Sequence, residues 1–73
     1  MKLFVWNDDD TLRDYKHGMV AALGNDLQEA LTAVSVVDPN AVRNITAEKP
    51  TAVVDLGSEY KAAPVAWVCW GGG

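Results

Sequence analysis

A chain of 73 residues has room for one domain with one small core, because at this length only about 60% of the unfolded surface is buried on folding. Its 49% apolar and 22% charged residues exclude a disordered chain. Ten acidic against six basic side chains give a net charge of −4, which disfavours nucleic acid and anionic membranes and leaves a protein partner open, a basic one included.

A single cysteine, Cys69, cannot form an internal disulfide, so packing and hydrogen bonds must hold the fold, as suits a reducing cytoplasm. The opening MKLFVWNDDD has too few apolar residues before its acids for a signal-peptide core, and no run approaches the ~18 apolar residues of a membrane helix. The expectation is a cytoplasmic protein outside any membrane.

Taken in chain order, Lys2 to Trp6 alternates, with Leu3 and Val5 on one face and Phe4 and Trp6 on the other, and predicts a strand. Turn residues and charge fill NDDDTLRDYKHG, after which Met19 to Leu23 resumes an apolar run, so residues 2–23 read as a hairpin with a long acidic loop. Gly24-Asn25-Asp26 ends the hairpin; Asn25 can cap a helix with Gln28 reaching back, and Asp26 and Glu29 put negative charge in the first turn. Leu27, Ala30, Leu31 and Val34 form one apolar stripe, which predicts a helix over 26–36.

Asp38-Pro39 repeats the capping pattern, for a short helical turn over 39–44 or equally an irregular connection. Strands follow at 51–56 and 65–70, separated by a loop over 57–64, with 71–73 as a C-terminal tail. The last strand has Val65, Trp67 and Cys69 on one face and Ala66, Val68 and Trp70 on the other, with no charge on either, the pattern of a central strand. The predicted fold is a single α+β domain, a small mixed four-stranded sheet with one main helix in ββαββ order. Placing the first and last strands side by side and parallel gives a β-grasp-like arrangement; a simple antiparallel sheet with one helix is the alternative.

Several residue groups invite a chemical reading. Asp8, Asp9, Asp10 and Asp14 lack the alternating ligands, turn glycine and distal glutamate of a calcium loop, so no metal is expected and the acids read as a solvated loop that discourages edge pairing. Cys69, His17 and Ser58 could make a nucleophile, base and helper, yet Cys69 sits within an apolar strand, where a thiol is a small hydrophobe. No phosphate-binding glycine loop opens the helix, so neither catalysis nor a cofactor is expected. Trp6, Trp67 and Trp70 are a heavy load for so small a core. If Trp6 and Trp70 share a sheet face with Phe4 or Tyr60, they form an aromatic patch that, with Asp8, Asp9 and Asp10, suits a protein partner.

Two resemblances bear on function. The opening MKLFV, the strand-helix-strand order and the Gly72-Gly73 end are similar to ubiquitin-like proteins and to the sulfur carriers of thiamine and molybdopterin synthesis. That resemblance implies a β-grasp domain activated at its Gly-Gly carboxylate, although Trp70 and Gly71 stand where a flexible lead-in is usual. MKLFVW-N-D, then Asp14-Tyr15, Gly18-Met19-Val20, Glu29-Ala30 and the closing W-V-C-W-G-G-G, resembles a group of small uncharacterised phage and prophage proteins. It implies an accessory protein without catalytic residues that works inside a bacterial cell by occupying or inhibiting a host protein. The reading from sequence is therefore a non-enzymatic interaction module, with a Gly-Gly carrier as the alternative and self-association through a sheet edge also open.

Overall fold

A computed structural model describes residues 1–8, 11–13, 16–59 and 61–71. The elements run β1 (Lys2–Trp6), β2 (Met19–Gly24), α1 (Leu27–Val37), α2 (Pro39–Ile45), β3 (Ala52–Asp55) and β4 (Val65–Cys69). The fold is a small α+β arrangement of two helices on a four-stranded sheet. Strand order is β3-β1-β2-β4, and all three pairings are antiparallel.

This order departs from the β-grasp expectation, because β1 and β4 are not neighbours and the sheet is not mixed. The hairpin β1–β2 forms the centre, β3 adds to the outside of β1, and β4 adds to the outside of β2. The apolar character of β4 on both faces suggested a central position, and it sits at an edge instead. Its inward residues Ala66 and Val68 meet the core, so helix packing accounts for one of its apolar faces without a second neighbouring strand.

The register fixes which side chains share a face, since residues directly opposite one another point the same way. Phe4 pairs with Ala22 and with Val53, and Ala22 pairs with Ala66. Phe4, Trp6, Val20, Ala22 and Ala66 join Ala30, Ala33 and Val34 of α1 and Ala41 and Ile45 of α2 in one core. Alanine is frequent where helix meets sheet, and its small side chain lets α1 lie close over β2 and β4. The helix stripe is rotated from the expected one: Ala30, Ala33 and Val34 are buried, whereas Leu27 is exposed.

Capping is shifted by one residue from the sequence reading. Asp26, not Asn25, is the N-cap of α1 and accepts from the Glu29 backbone N–H at 2.8 Å. The Glu29 carboxylate in turn accepts from the Asn25 backbone and side-chain amides, each at 3.2 Å. Asp38 ends α1 by donating its backbone N–H to the Val34 carbonyl at 2.8 Å, and it also caps α2. One residue thus sets the corner between two helices.

The β1–β2 connection is not simply a solvated acidic loop. Thr11 and Leu12 are fully buried. The Leu12 side chain belongs to the core, although its φ of 46° lies in the left-handed region that leucine disfavours by about 1–2 kcal/mol. Several hydrogen bonds hold this conformation, among them the Leu12 N–H to Asn44 Oδ1 at 3.0 Å, Thr11 Oγ1 to Glu48 Oε2 at 3.1 Å, and the Gly18 N–H to the Thr11 carbonyl at 2.7 Å. Of the acids predicted for this loop, Asp8 is exposed, and Asp9, Asp10 and Asp14 lie outside the described residues.

If Leu12 is a core residue, Leu12→Ala should destabilise the domain by about 2–5 kcal/mol, the range for truncating a buried leucine. Urea denaturation followed by tryptophan fluorescence measures this. A loss well under about 1 kcal/mol would show that the loop does not pack as described.

Candidate functional site: an open apolar sheet face

Both helices lie on the side of the sheet that carries Phe4 and Trp6, so the residues of opposite parity form a second face without helix cover. Across the strand order, one row on that face reads Val54, Leu3, Leu23, Val65. The next reads Ala52, Val5, Ala21, Trp67, and Met19 and Cys69 stand side by side beyond it. None of these ten side chains is charged, and none is a hydroxyl, amide or carboxylate. The only charged residues in the four strands, Lys2 and Asp55, pair with each other on the helix side.

Exposure is concentrated toward the outer strands and the Met19 end. Trp67 is 54% exposed, Val54 and Met19 are each 46% exposed, and Val65 is 39% exposed. Leu23 and Ala21 at the centre are screened by these neighbours and are nearly buried. The largest apolar patch on a monomer spans about 300–600 Å² and often marks a functional surface.

The tryptophans are distributed differently from the sequence reading. Trp6, offered as part of an exposed patch, is 1% exposed and stacks on Phe4 with ring centroids 6.3 Å apart and planes inclined by 29°. It does share the parity of Phe4, as expected, but that face is the one the helices and Leu12 cover. Among the described residues its indole Nε1 finds no hydrogen-bond partner. Tyr60 lies outside the described residues. Trp67 is the exposed indole on the open face. Met19, Val54 and Val65, which no motif singled out, complete the surface; strand register is the signal that groups them.

Trp70, half exposed, is held by a specific bond. Its Nε1 donates to Asp38 Oδ2 at 2.7 Å, while Asp38 Oδ1 accepts the Asn40 and Ala41 backbone N–H groups at 3.0 and 3.2 Å. The end of β4 is thereby tied to the corner between the helices. Gly71 continues the attachment: its N–H donates to the Leu12 carbonyl at 3.2 Å, and its carbonyl accepts from the Lys16 N–H at 3.0 Å. A Cβ at Gly71 would lie 1.6 Å from the Lys16 carbonyl oxygen, and one at Gly18 would lie 2.2 Å from that of Cys69. Only glycine permits these backbone approaches. Gly72 and Gly73 lie outside the described residues.

The three residues considered for nucleophilic chemistry are not all brought together: His17, two residues before Met19, lies at the same end of the sheet as Cys69, and Ser58 does not. Cys69 is exposed at the Met19 end of the sheet, whereas Ser58 follows the Asp55 end of β3 and lies near Met1 and Asn25 at the opposite end. Among the described residues, no group of three or more His, Cys, Asp or Glu side chains could hold a metal ion, and no helix is long and apolar enough to cross a membrane. Comparisons of the chain with protein-family models, with curated proteins and with solved structures find no match.

The Trp70 hydrogen bond is the largest influence on the Asp38 carboxyl and lowers its pKa below the ordinary aspartate value of 3.8. Desolvation opposes this, and the Ala41 and Asn40 amides lower it further. Because folding depresses this pKa, the associated stability is complete above the ordinary value and is lost as pH falls through the depressed one. Thermal unfolding of wild type between about pH 5 and pH 2 should therefore show an acid-side loss that Trp70→Phe reduces. An acid profile unchanged by Trp70→Phe would exclude the indole as the cause.

Proposed function

We propose that this protein is a non-enzymatic interaction module that works by presenting its open sheet face to a protein. The observation that carries the reading is the parity of the sheet. Every strand side chain facing away from the helices is apolar, and Trp67, an amphipathic anchor of the kind that dominates interface energetics, stands exposed among them. Such a face offers no charged strand side chain, and only the Trp67 indole N–H and the weak Cys69 thiol as donors, to orient a polar substrate, but it suits the dry centre of a protein interface. An accessory role of the phage type, in which the module occupies or inhibits a host protein in the bacterial cytoplasm, fits this reading.

Activation at a Gly-Gly carboxylate is less well supported. It requires the residues leading to Gly72 and Gly73 to thread into a narrow active site. Gly71 is buried and bonded on both sides to the β1–β2 connection. The Trp70 bond to Asp38 holds the preceding residue to the domain as well.

Immobilised protein, exposed in turn to purified untagged copies of itself and to bacterial lysate, should retain a discrete partner. Trp67→Asp should abolish that retention, and Val36→Asp, on the exposed surface of α1, should leave it intact. Retention that survives Trp67→Asp, or no retention from either source, would overturn the reading.

A further inference from the structure

We propose that the open face is closed by the same face of a second copy, as a two-fold dimer whose axis lies between the two sheets and parallel to their strands. The inference rests on reading the face as a protein-binding surface, and it names the occupant. Three observations favour a copy of this chain.

The first is charge. Each molecule carries −4, yet among the described residues no strand side chain on the open face is charged, because Lys2 and Asp55 both point to the helix side. Two copies can therefore meet there without bringing like charges into the interface. An anionic lipid surface would be repelled by the same net charge. A basic protein would find no acid on this face to pair with.

The second is shape. Across the middle row the side chains run Ala52, Val5, Ala21, Trp67, with an alanine at the β3 edge and the largest side chain at the β4 edge. A two-fold axis parallel to the strands lays β4 of one copy over β3 of the other. Each Trp67 then stands over the partner's Ala52, and each Val65 stands over the partner's Val54. In an isologous contact this complementarity occurs twice. Two sheets of the same twist can stack in this way at about 10 Å, as the two halves of a β-sandwich do.

The third is extent. The ten side chains expose roughly 500 Å² per copy, at the upper part of the range for a monomer's largest apolar patch. Pairing two such faces removes about 1,000 Å² from water, the lower bound for a specific interface and the size of a weak, reversible one.

Sedimentation equilibrium of the purified chain from low micromolar to sub-millimolar concentration should show a reversible monomer–dimer equilibrium. Trp67→Asp and, separately, Val54→Glu should each leave a monomer with unchanged circular dichroism. Ala52→Trp should weaken the dimer by placing bulk against Trp67, and Ala52→Trp combined with Trp67→Ala, which moves the large residue to the other edge, should restore it. In wild type, alkylation of the exposed Cys69 thiol should slow as concentration passes through the dissociation constant, a readout that needs no folded variant.

A monomer at every concentration, with Cys69 alkylation independent of concentration, would overturn the dimer. Trp67-dependent capture from lysate would then show that the face serves another protein, and loss of that capture too would remove the broader reading. A dimer insensitive to Trp67→Asp and Val54→Glu would place association at a strand edge and would also overturn the proposal.

Discussion

The pairing of Phe4 with Ala22 on one side and Val53 on the other fixes the parity of the entire sheet. A slip of one residue in β1 would bring Leu3 and Val5 beneath the helices and expose Trp6. Trp6 and Phe4 are the two large aromatic groups of the core, and the remainder of the helix-side surface is fitted around them. Ala22, Ala30, Ala33 and Ala66 are small where α1 approaches the sheet, while Leu12 and Ile45 add larger side chains to the same core. Because Leu12 must reach this core from a loop, its backbone accepts a left-handed conformation that burial and the Asn44 bond offset.

The closure of the β1–β2 connection and the end of β4 depend on each other. Arg13 and Gly71 form a parallel bridge, and Gly71 bonds both to Leu12 and to Lys16. The chain that leaves β4 therefore runs inside the long connection that leaves β1. Gly18 lies against the Cys69 carbonyl at the same place. The glycines at 18 and 71 are thus explained by close backbone packing. Asp38 completes the arrangement from the helix side by joining the end of α1, the start of α2 and the Trp70 indole.

Much of this was legible in the sequence, and what was not has a physical reason. All four strands and α1 follow from periodicity and capping residues, since the choice of Asp26 over Asn25 moves α1 by only one residue; Asp38-Pro39 allowed α2 and an irregular connection alike. Strand order was not legible. An apolar pattern on both faces describes a central strand, and it equally describes an edge strand with a helix on one side and an open apolar face on the other, as in β4. For the same reason the alternation of β1 separated Leu3 and Val5 from Phe4 and Trp6 without indicating which pair lies inside. Leu12 was hidden among Asp8, Asp9, Asp10, Thr11, Arg13 and Asp14, where local composition signals solvent and only the tertiary fold supplies a core. An exposed aromatic patch was sought among the tryptophans; Trp6 belongs to the interior and Trp67 to the exposed face.

A small sheet with two apolar faces and helices for only one of them has two kinds of unsatisfied surface, its edges and its open face. The edges are restricted: β3 has four residues and ends in Asp55, and β4 has five and runs directly into Gly71, which is already bonded to the β1–β2 connection. Short or terminated edges of this kind limit strand addition. The open face has no comparable restriction, since neither Lys2 nor Asp55 points toward it and Trp67 remains half in solvent. Association across the face leaves every backbone ladder intact and removes only apolar surface from water, whereas association at an edge must compete with water for backbone groups already solvated. The distribution of charge and the lengths of the strands therefore favour contact through the face over growth through the edge.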